Sequence, residues 1–284
     1  MSQQSARATG AALTLIVLLT GCGEMAGNAD VSRAASAADI IDDADLHDIM
    51  MTVGDANAAV AHFARAAAEQ PERIELKRGL AQSLTRAGRG PEAVTAWRDV
   101  VAAEGANNDD RVELAGALVR AGSWDAARDA LDAIPPTHET FQRYRLEAMI
   151  ADNEEAWDRS DSFYETAASL TTTPGGVLNN WGYSKLARGD GAEAERLFLA
   201  ALREDPGMFT AKNNLALARA AQRNYTLPVV SLTQEERAQL LHTMGLAAVR
   251  QGDVETGRSL LNDAVETHPR HFEAAARALE ALGG

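Results

Sequence analysis

The sequence predicts an all-α fold, a solenoid of stacked helix pairs that ends in a capping helix. Glycines recur at a near-constant period, and a period of 34 residues is typical of repeated helix-turn-helix units. Small and large apolar residues keep fixed distances from these glycines, and no segment alternates long enough between apolar and polar residues to form a sheet. The glycines are Gly54, Gly88, Gly122, Gly189 and Gly252, with successive spacings of 34, 34, 67 and 63 residues.

Each glycine is expected to follow the first helix of a pair, where a left-handed backbone conformation favours glycine. Small residues stand seven residues before and five residues after the glycine position, and a large apolar residue stands nine after it. Small residues let two helices approach closely, and large ones fill the gap between neighbouring helices. The small residues before it are Ala81, Ala115, Ala148, Gly182 and Gly245, those after it are Ala59, Ala93, Ala127, Ala194 and Gly257, and the large ones are Phe63, Trp97, Leu131, Phe198 and Leu261.

This pattern resembles the tetratricopeptide repeat family. Residues 178–206 match it best, because Trp181, Gly182, Ala194, Phe198, Ala201 and Pro206 stand at the family's spacings. The resemblance implies a right-handed α-solenoid over residues 39–284, and it implies that the aromatic residues of the units belong to the core. These are Phe63, Trp97, Trp124, Trp157, Tyr164, Trp181 and Phe198. The units are placed at about 40–73, 74–107, 108–140, 141–174, 175–208 and 238–271, with a partial unit at 209–233 and a cap at 272–282.

Two places depart from the pattern. In the fourth unit, Glu155 stands where a glycine is expected. In the partial unit, the second helix is replaced by residues 223–233, where Pro228 lacks an N–H donor and Val229 and Val230 prefer an extended backbone. The next helix is predicted to begin at about Thr233, with a capping box completed by Glu236.

The segment before Thr233 has two interpretations. In the favoured one, Leu227, Val229, Val230 and Leu232 cover the edge of the preceding helix in place of its missing partner, because apolar side chains left in water are costly. In the other, the segment is a secondary contact for a binding partner, made by Leu227, Val229 and Val230.

The first residues have a different character. Residues 11–20 form an apolar run of ten, which is too short to span a bilayer and is typical of a secretory signal. The run ends in Leu19, Thr20, Gly21 and Cys22, and Cys22 is the only cysteine in the chain. This resembles the lipobox of bacterial lipoproteins, which implies a signal peptide at 1–21 and a lipid anchor on Cys22. Because glycine, not aspartate, follows Cys22, the resemblance favours the periplasmic face of the outer membrane.

Residues 22–38 are rich in small and polar residues and are predicted to be a flexible tether. The whole chain has a net charge of −14. This charge argues against a nucleic-acid partner, which requires a basic surface. It also argues against direct adhesion of the polypeptide to anionic lipid, so membrane attachment depends on the lipid group.

No pattern in the sequence indicates catalysis. The six histidines are dispersed, and neither a phosphate-binding glycine loop nor a Gly-x-Ser-x-Gly motif is present. We therefore expect an interaction protein and not an enzyme, with no cofactor, no metal and no small-molecule substrate. An enzyme with an unrecognised site is the least favoured alternative.

The repeat resemblance also implies where a partner binds, namely the inner wall formed by the first helix of each pair. Cationic and amide side chains there suit an extended peptide or its carboxylate, and the alternative is that they are solvated polar positions. The positions are Arg78, Gln82, Arg86, Arg120, Gln142, Arg145, Asn179, Tyr183, Asn213, His242 and Arg250.

From Asn179 to its end, the sequence is similar to the TadD family of tight-adherence (Flp) pilus assembly lipoproteins. The similarity lies in NNWGYSKLARGDGAEAERLFLAAL at 179–202, NNLALA at 213–218, the proline-containing break, and QGDVETGRSLLNDAVETHPRHFEAA at 251–275. It implies a pilotin-like assembly factor whose partner is the outer-membrane secretin or another pilus or secretion component. The alternative is a periplasmic scaffold lipoprotein for outer-membrane protein assembly, polysaccharide export or cell-wall coordination.

Overall fold

The computed structural model describes residues 55–283, and this part of the chain contains thirteen α-helices and no strand. The predicted signal peptide, the tether with Cys22, and Gly54 lie outside the described residues. The helices are α1 (Ala56–Glu69), α2 (Ile74–Arg86), α3 (Gly90–Val101), α4 (Asn108–Arg120), α5 (Trp124–Asp132), α6 (Phe141–Asn153), α7 (Trp157–Ser169), α8 (Gly175–Ala187), α9 (Gly191–Glu204), α10 (Phe209–Ala221), α11 (Gln234–Arg250), α12 (Val254–Thr267) and α13 (Glu273–Gly283).

The helices pack as consecutive pairs, which confirms the predicted solenoid. Each helix contacts the next one along the chain, and the first helices α4, α6, α8 and α10 also contact one another in succession. These four helices therefore form one continuous layer. The last helix, α13, packs on α12 and buries Ala275, as expected for a cap. Contacts limited to neighbouring units are what defines a solenoid.

A left-handed residue follows the first helix of each pair. Its role is backbone geometry, because a Cβ atom at Gly88 or Gly122 would meet no other atom within 4 Å. Glu155 takes the same conformation, with φ 57°, so the turn in the fourth unit is kept although its glycine is absent. Arg223 does so after α10, with φ 58°. The glycines at this position are Gly88, Gly122, Gly189 and Gly252, with φ of 70°, 71°, 88° and 85°.

The small and large positions of the repeat meet inside the pairs. Ala81, Ala115 and Ala148 have no exposed surface. In the pair α8–α9, Gly182 faces the fully buried ring of Phe198, and a Cβ atom on Gly182 would lie only 2.7 Å from the nearest ring carbon. The helix pair approaches so closely here that only glycine fits without displacing the ring.

The segment after α10 is non-helical, as predicted. The Thr233 hydroxyl accepts a hydrogen bond from the Glu236 N–H, and the Glu236 carboxylate accepts one from the Thr233 N–H, so α11 begins with the predicted capping box. Leu227 and Leu232 pack on the core that Ala216 and Ala220 of α10 form with α11 and α12, and Val230 packs on the core around α9 and α10.

Val229 is the exception to the predicted cover. It is fully exposed, while its neighbour Pro228 is buried. The backbone bends here and is not extended as predicted, because the Val230 N–H donates to the Pro228 carbonyl at 3.0 Å and closes a three-residue turn with Val229 at its centre. The cover interpretation is therefore confirmed for Leu227, Val230 and Leu232 and is wrong for Val229.

Candidate functional site

The layer of first helices holds a cavity of about 500 Å³, between α6, α8 and α10. Its rim includes the starts of the second helices α5 and α7. Its walls are mostly apolar, with a small number of amide, hydroxyl and carboxylate groups, which is the composition of typical binding pockets. The lining residues are Trp124, Met149, Asp152, Asn153, Trp157, Tyr164, Asn179, Asn180, Tyr183, Ser184, Ala187, Thr210 and Asn214.

A second cavity of about 330 Å³ lies between α8, α10 and α11. Tyr183 and Ala187 line both cavities, so the two form one groove, which we call the inner groove. The remaining lining residues of the second cavity are Leu186, Leu217, Ala221, Ala247, Arg250 and Gln251.

Tyr183 stands at the junction of the two cavities and is 58% exposed. Aromatic side chains are usually well buried, and exposed ones are enriched at binding surfaces because they offer a large apolar face with a polar tip. Among the described residues that line the groove, Tyr183 is the one large apolar side chain that is exposed.

The position of Tyr183 depends on how α8 is held against α7. The Asp161 carboxylate of α7 accepts hydrogen bonds from the Trp181 indole at 2.6 Å, from Lys185 at 2.9 Å, and from Arg188, all on α8. Burial alone would raise the pKa of Asp161, but these donors outweigh it and keep the pKa below its usual value. The Trp181 ring also stacks on Tyr164, with ring centroids 6.2 Å apart.

Asp152 lies in the wall of the first cavity and is surrounded by hydroxyl groups. Its carboxylate accepts hydrogen bonds from Ser184 Oγ at 2.6 Å, Tyr164 Oη at 2.9 Å, and Ser160 Oγ. Burial and the Asp152 charge raise the pKa of Tyr164 well above its usual range, so the phenol remains a donor. Among residues 55–283, no lysine, arginine or histidine forms an ion pair with Asp152.

The floor of the groove is held by amide hydrogen bonds between first helices. The Asn214 amide of α10 donates to the Asn179 oxygen of α8 at 3.1 Å, and both residues are only 8% exposed. Asn213 accepts a hydrogen bond from the Thr243 hydroxyl of α11 at 2.8 Å. These amides connect neighbouring units and keep the first helices in register.

The structure brings three of the eleven predicted contact positions into the inner groove, namely Asn179, Tyr183 and Arg250. Gln82, Arg86 and Arg120 are exposed on first helices away from it, and Gln142 is half-buried. His242 is half-buried against Phe272 of the cap, at a centroid distance of 5.3 Å, and burial lowers its pKa.

Two predicted arginines are held inside the fold. Arg78 donates to both carboxylate oxygens of Asp110, at 2.7 and 2.8 Å, and to the Gly105 carbonyl. Burial would raise the pKa of Asp110, but the hydrogen bonds from Arg78 and from the Asn107 backbone hold it below its usual value. Arg145 is half-buried, and burial followed by the nearby Arg120 charge lowers its pKa.

The groove also contains residues that sequence reasoning placed elsewhere. Trp124 and Trp157, predicted to be core, are partly exposed and line the first cavity. Each is the first residue of a second helix, and the two are 33 residues apart, close to the repeat period. That recurrence is a signal that the two residues occupy equivalent positions of the repeat.

No three histidine, cysteine, aspartate or glutamate side chains within residues 55–283 are placed to hold a metal ion. In the same range, no helix is long and apolar enough to cross a membrane.

Comparison with known proteins identifies the repeat. Residues 79–138 and 179–227 match the family described as tetratricopeptide repeat. No curated protein matches the sequence at a significant level. These two segments are therefore similar to tetratricopeptide repeats, and the described helix pairs form a solenoid of that kind. Such repeats are generally protein–protein interaction modules, and this fold implies an interaction scaffold.

Solved structures agree on the fold. The chain is similar to a chain of the APC/C heterotetramer Cut9–Hcn1, with 13% identity over 83% of this chain and 48% of that one and a TM-score of 0.59. It is similar to a tetratricopeptide repeat protein from Parabacteroides merdae, with 14% identity over 84% of this chain and 97% of that one and a TM-score of 0.56. It is also similar to a chain of the human IFIT1 dimer with PPP-AAAA, with 18% identity over 80% of this chain and 59% of that one and a TM-score of 0.57. The chain spans less than two thirds of the first and third, and at these identities the likeness concerns the fold alone.

Proposed function

We propose that this protein is a membrane-tethered scaffold that binds an extended segment of a protein partner in the inner groove. The observation that carries this proposal is the groove itself, an open and largely apolar channel with an exposed aromatic residue, Tyr183, at its centre. Exposed apolar surface of this kind marks binding sites in soluble domains. Asn153, Asn180 and Thr210 add polar groups along the walls that can hydrogen-bond a peptide backbone.

The size of the groove sets the length of the segment that it can hold. The groove crosses α6, α8, α10 and α11, which is three helix-to-helix steps. At about 8–10 Å per step, it is roughly 24–30 Å long. An extended chain advances about 3.3 Å per residue, so roughly eight residues would fill it.

The tether and the partner are proposed from the sequence. The lipobox-like run that ends at Cys22 supports a lipid anchor in the outer membrane, on the periplasmic face. The similarity of residues 179 to 284 to the TadD family supports a pilotin-like role in assembling the outer-membrane secretin of a Flp/Tad pilus or a related secretion system. In this role, the groove would hold a segment of the secretin or of another component of that apparatus.

Capture of the partner from the cell envelope tests the proposal. Tagged full-length protein is purified from detergent-solubilised envelopes, and the proteins that co-purify are identified by mass spectrometry. We expect a secretin or pilus component with the wild type and its loss with Tyr183→Ala. Leu170→Ala is the matched control, because Leu170 is also exposed, at 42%, but lies outside the groove.

The other outcomes have distinct meanings. Recovery of machinery for outer-membrane protein assembly or polysaccharide export would favour the alternative scaffold role over the pilotin role. Partners that are retained by the Tyr183 variant would show that the groove is not the binding site.

A substitution of Cys22 tests the lipid anchor. Cys22→Ser should leave the helical circular dichroism spectrum unchanged and move the protein from the membrane to the soluble periplasmic fraction. A variant that still sediments with membranes after a high-salt wash would refute the lipid anchor.

A further inference from the structure

The first cavity of the inner groove has aromatic walls. Trp124, Trp157 and Tyr183 line it, and each ring keeps part of its surface open to solvent. Contacts between aromatic rings stabilise a complex beyond the apolar area that they bury, and this extra stabilisation is absent for an aliphatic group. The walls therefore favour an occupant that carries an aromatic ring.

The carboxylate of Asp152 has one acceptor site left. Its Oδ1 accepts hydrogen bonds from Ser160 and Ser184, and its Oδ2 accepts one, from Tyr164 at 2.9 Å. Each oxygen of a carboxylate can accept about two hydrogen bonds. Among the described residues, no further donor to Oδ2 is present, so this oxygen can accept one more.

The open part of this carboxylate faces the cavity. The three residues that donate to it are at most 3% exposed, whereas Asp152 is half-buried and lines the cavity wall. The hydroxyl groups therefore lie behind the carboxylate, on the protein side. A group that fills the cavity removes water from Oδ2, and a buried acceptor without a partner is costly. The occupant must therefore bring a donor of its own.

A charge at the rim restricts this donor to a neutral group. The guanidinium carbon of Arg188 lies 5.4 Å from the centroid of the Trp157 ring. A cationic side chain in the cavity would be repelled by this like charge, whereas a neutral O–H or N–H would not. Serine and threonine have a neutral donor but no ring to contact the aromatic walls. Tyrosine and tryptophan combine a ring with a neutral donor.

We propose that the first cavity binds an aromatic anchor residue of the partner segment, a tyrosine or a tryptophan whose O–H or N–H donates to Oδ2 of Asp152. The inference rests on the proposed function and adds the side chain that the partner segment must carry. Aromatic residues that fill a pocket at an interface commonly contribute a large share of the binding energy. The rest of the groove then holds the chain on either side of this anchor.

Two small molecules test the anchor, namely p-cresol, which is the side chain of tyrosine, and toluene, which is that of phenylalanine. Each is titrated into the detergent-solubilised full-length protein, and the indole N–H signals are followed by NMR. We expect the signals of Trp124 and Trp157 to shift, while that of Trp97, which is 1% exposed, stays in place as an internal control. Binding of p-cresol should be about three- to tenfold tighter than that of toluene, because only p-cresol can donate to Asp152.

Substitutions in the cavity make the test specific. Thr210 is exposed and lines the first cavity, so Thr210→Phe should obstruct it and weaken p-cresol binding at least about tenfold. Thr172→Phe is the matched control, because Thr172 is an exposed residue of the loop between α7 and α8 that lines neither cavity. Asp152→Asn should reduce the preference for p-cresol over toluene. If that variant fails to fold, the comparison of the two compounds on the wild type still decides the question.

Selection of random twelve-residue peptides on the same protein extends the test to a chain. We expect a tyrosine or a tryptophan in every tight binder. Replacing that tyrosine by phenylalanine should weaken binding about three- to tenfold, and replacing it by alanine should weaken it at least about 30-fold. Isothermal titration calorimetry with synthetic peptides measures both changes.

The contrary results are equally clear. Equal affinities of p-cresol and toluene, unmoved signals of Trp124 and Trp157, or selected peptides with a basic or aliphatic anchor would overturn the inference. If envelope capture nevertheless depends on Tyr183, the proposed function survives that failure. If the compounds and peptides bind as expected but no envelope partner is captured, the inference stands and the cellular role is refuted.

Discussion

Replacing Gly182 by alanine tests the close packing on which each helix pair depends. A Cβ atom at this position would lie 2.7, 2.9 and 3.1 Å from three ring carbons of Phe198. Carbon atoms in favourable contact are about 3.5–4.0 Å apart, so the ring would have to move by roughly 0.5–1 Å. Phe198 has no exposed surface, and a close-packed interior leaves the ring little space for that movement.

The expected change in stability on Gly182→Ala combines two opposing contributions. Overpacking a buried site costs about 1–3 kcal/mol, and glycine to alanine within a helix returns about 1 kcal/mol. Gly176 lies in the same helix, and a Cβ atom there meets nothing within 4 Å, so Gly176→Ala is a matched control without overpacking. We expect Gly182→Ala to be about 1–3 kcal/mol less stable than Gly176→Ala.

Urea unfolding measures this difference. Circular dichroism and tryptophan fluorescence should be followed together, because coincident transitions are needed before a single free energy of unfolding is assigned to a repeat array. In a Phe198→Leu background the clash is removed, so the penalty of Gly182→Ala should largely disappear. Equal stabilities of the two glycine variants, or a penalty that persists without the ring, would refute the packing argument.

Three further stability predictions follow from the same fold. Asp110→Asn should lower the free energy of unfolding at pH 7 by about 2–3 kcal/mol. The pKa of Asp110 is lower in the folded protein than in the unfolded chain, where it is about 4, so the ionised carboxylate stabilises the fold above that pH. This stabilisation is lost as the pH falls through the pKa of the folded protein. The free energy of unfolding in urea should therefore change less between pH 7 and pH 3 in the variant than in the wild type. Glu155→Gly should stabilise the protein by about 1 kcal/mol and Gly122→Glu should destabilise it by about 1–2 kcal/mol, because the backbone is left-handed at both positions. Thermal melts in which both variants shift in the same direction would contradict this. Leu227→Ala should lower the free energy of unfolding by about 1–2 kcal/mol and Val229→Ala by less than about 0.5 kcal/mol. Equal effects in urea unfolding would disprove that Leu227 covers α10 and Val229 does not.

The repeat could be predicted because its signals are local or join neighbouring units. A left-handed residue after a helix, a small residue opposite a large one, and a capping box at Thr233 each depend on a few residues close in sequence or one unit apart. The turn at Glu155 shows how strong this constraint is. The packing of the adjacent units retains the left-handed conformation even where the residue that prefers it is absent.

The composition of the site could be predicted only in part. The repeat position of Tyr183 predicts its place on the inner wall, but Arg78 occupies an equivalent wall position and is paired with Asp110, 32 residues further on. The spacing of Trp124 and Trp157 predicts core positions wrongly, because spacing alone does not tell which side of the second helix they occupy. No sequence pattern predicts the role of Asp152, since its three hydroxyl donors lie on α7 and α8.

The amino-acid sequence by itself determined that the chain forms paired helices, where each pair turns, and where the pattern is interrupted, because those features depend on backbone preference and on the sizes of residues at fixed spacings. The tertiary structure alone decided which side chains meet around Tyr183 and which charges remain unpaired there. Those depend on the rotation and spacing of successive units, which place residues from α6, α8, α10 and α11 around one groove although they are far apart in the chain.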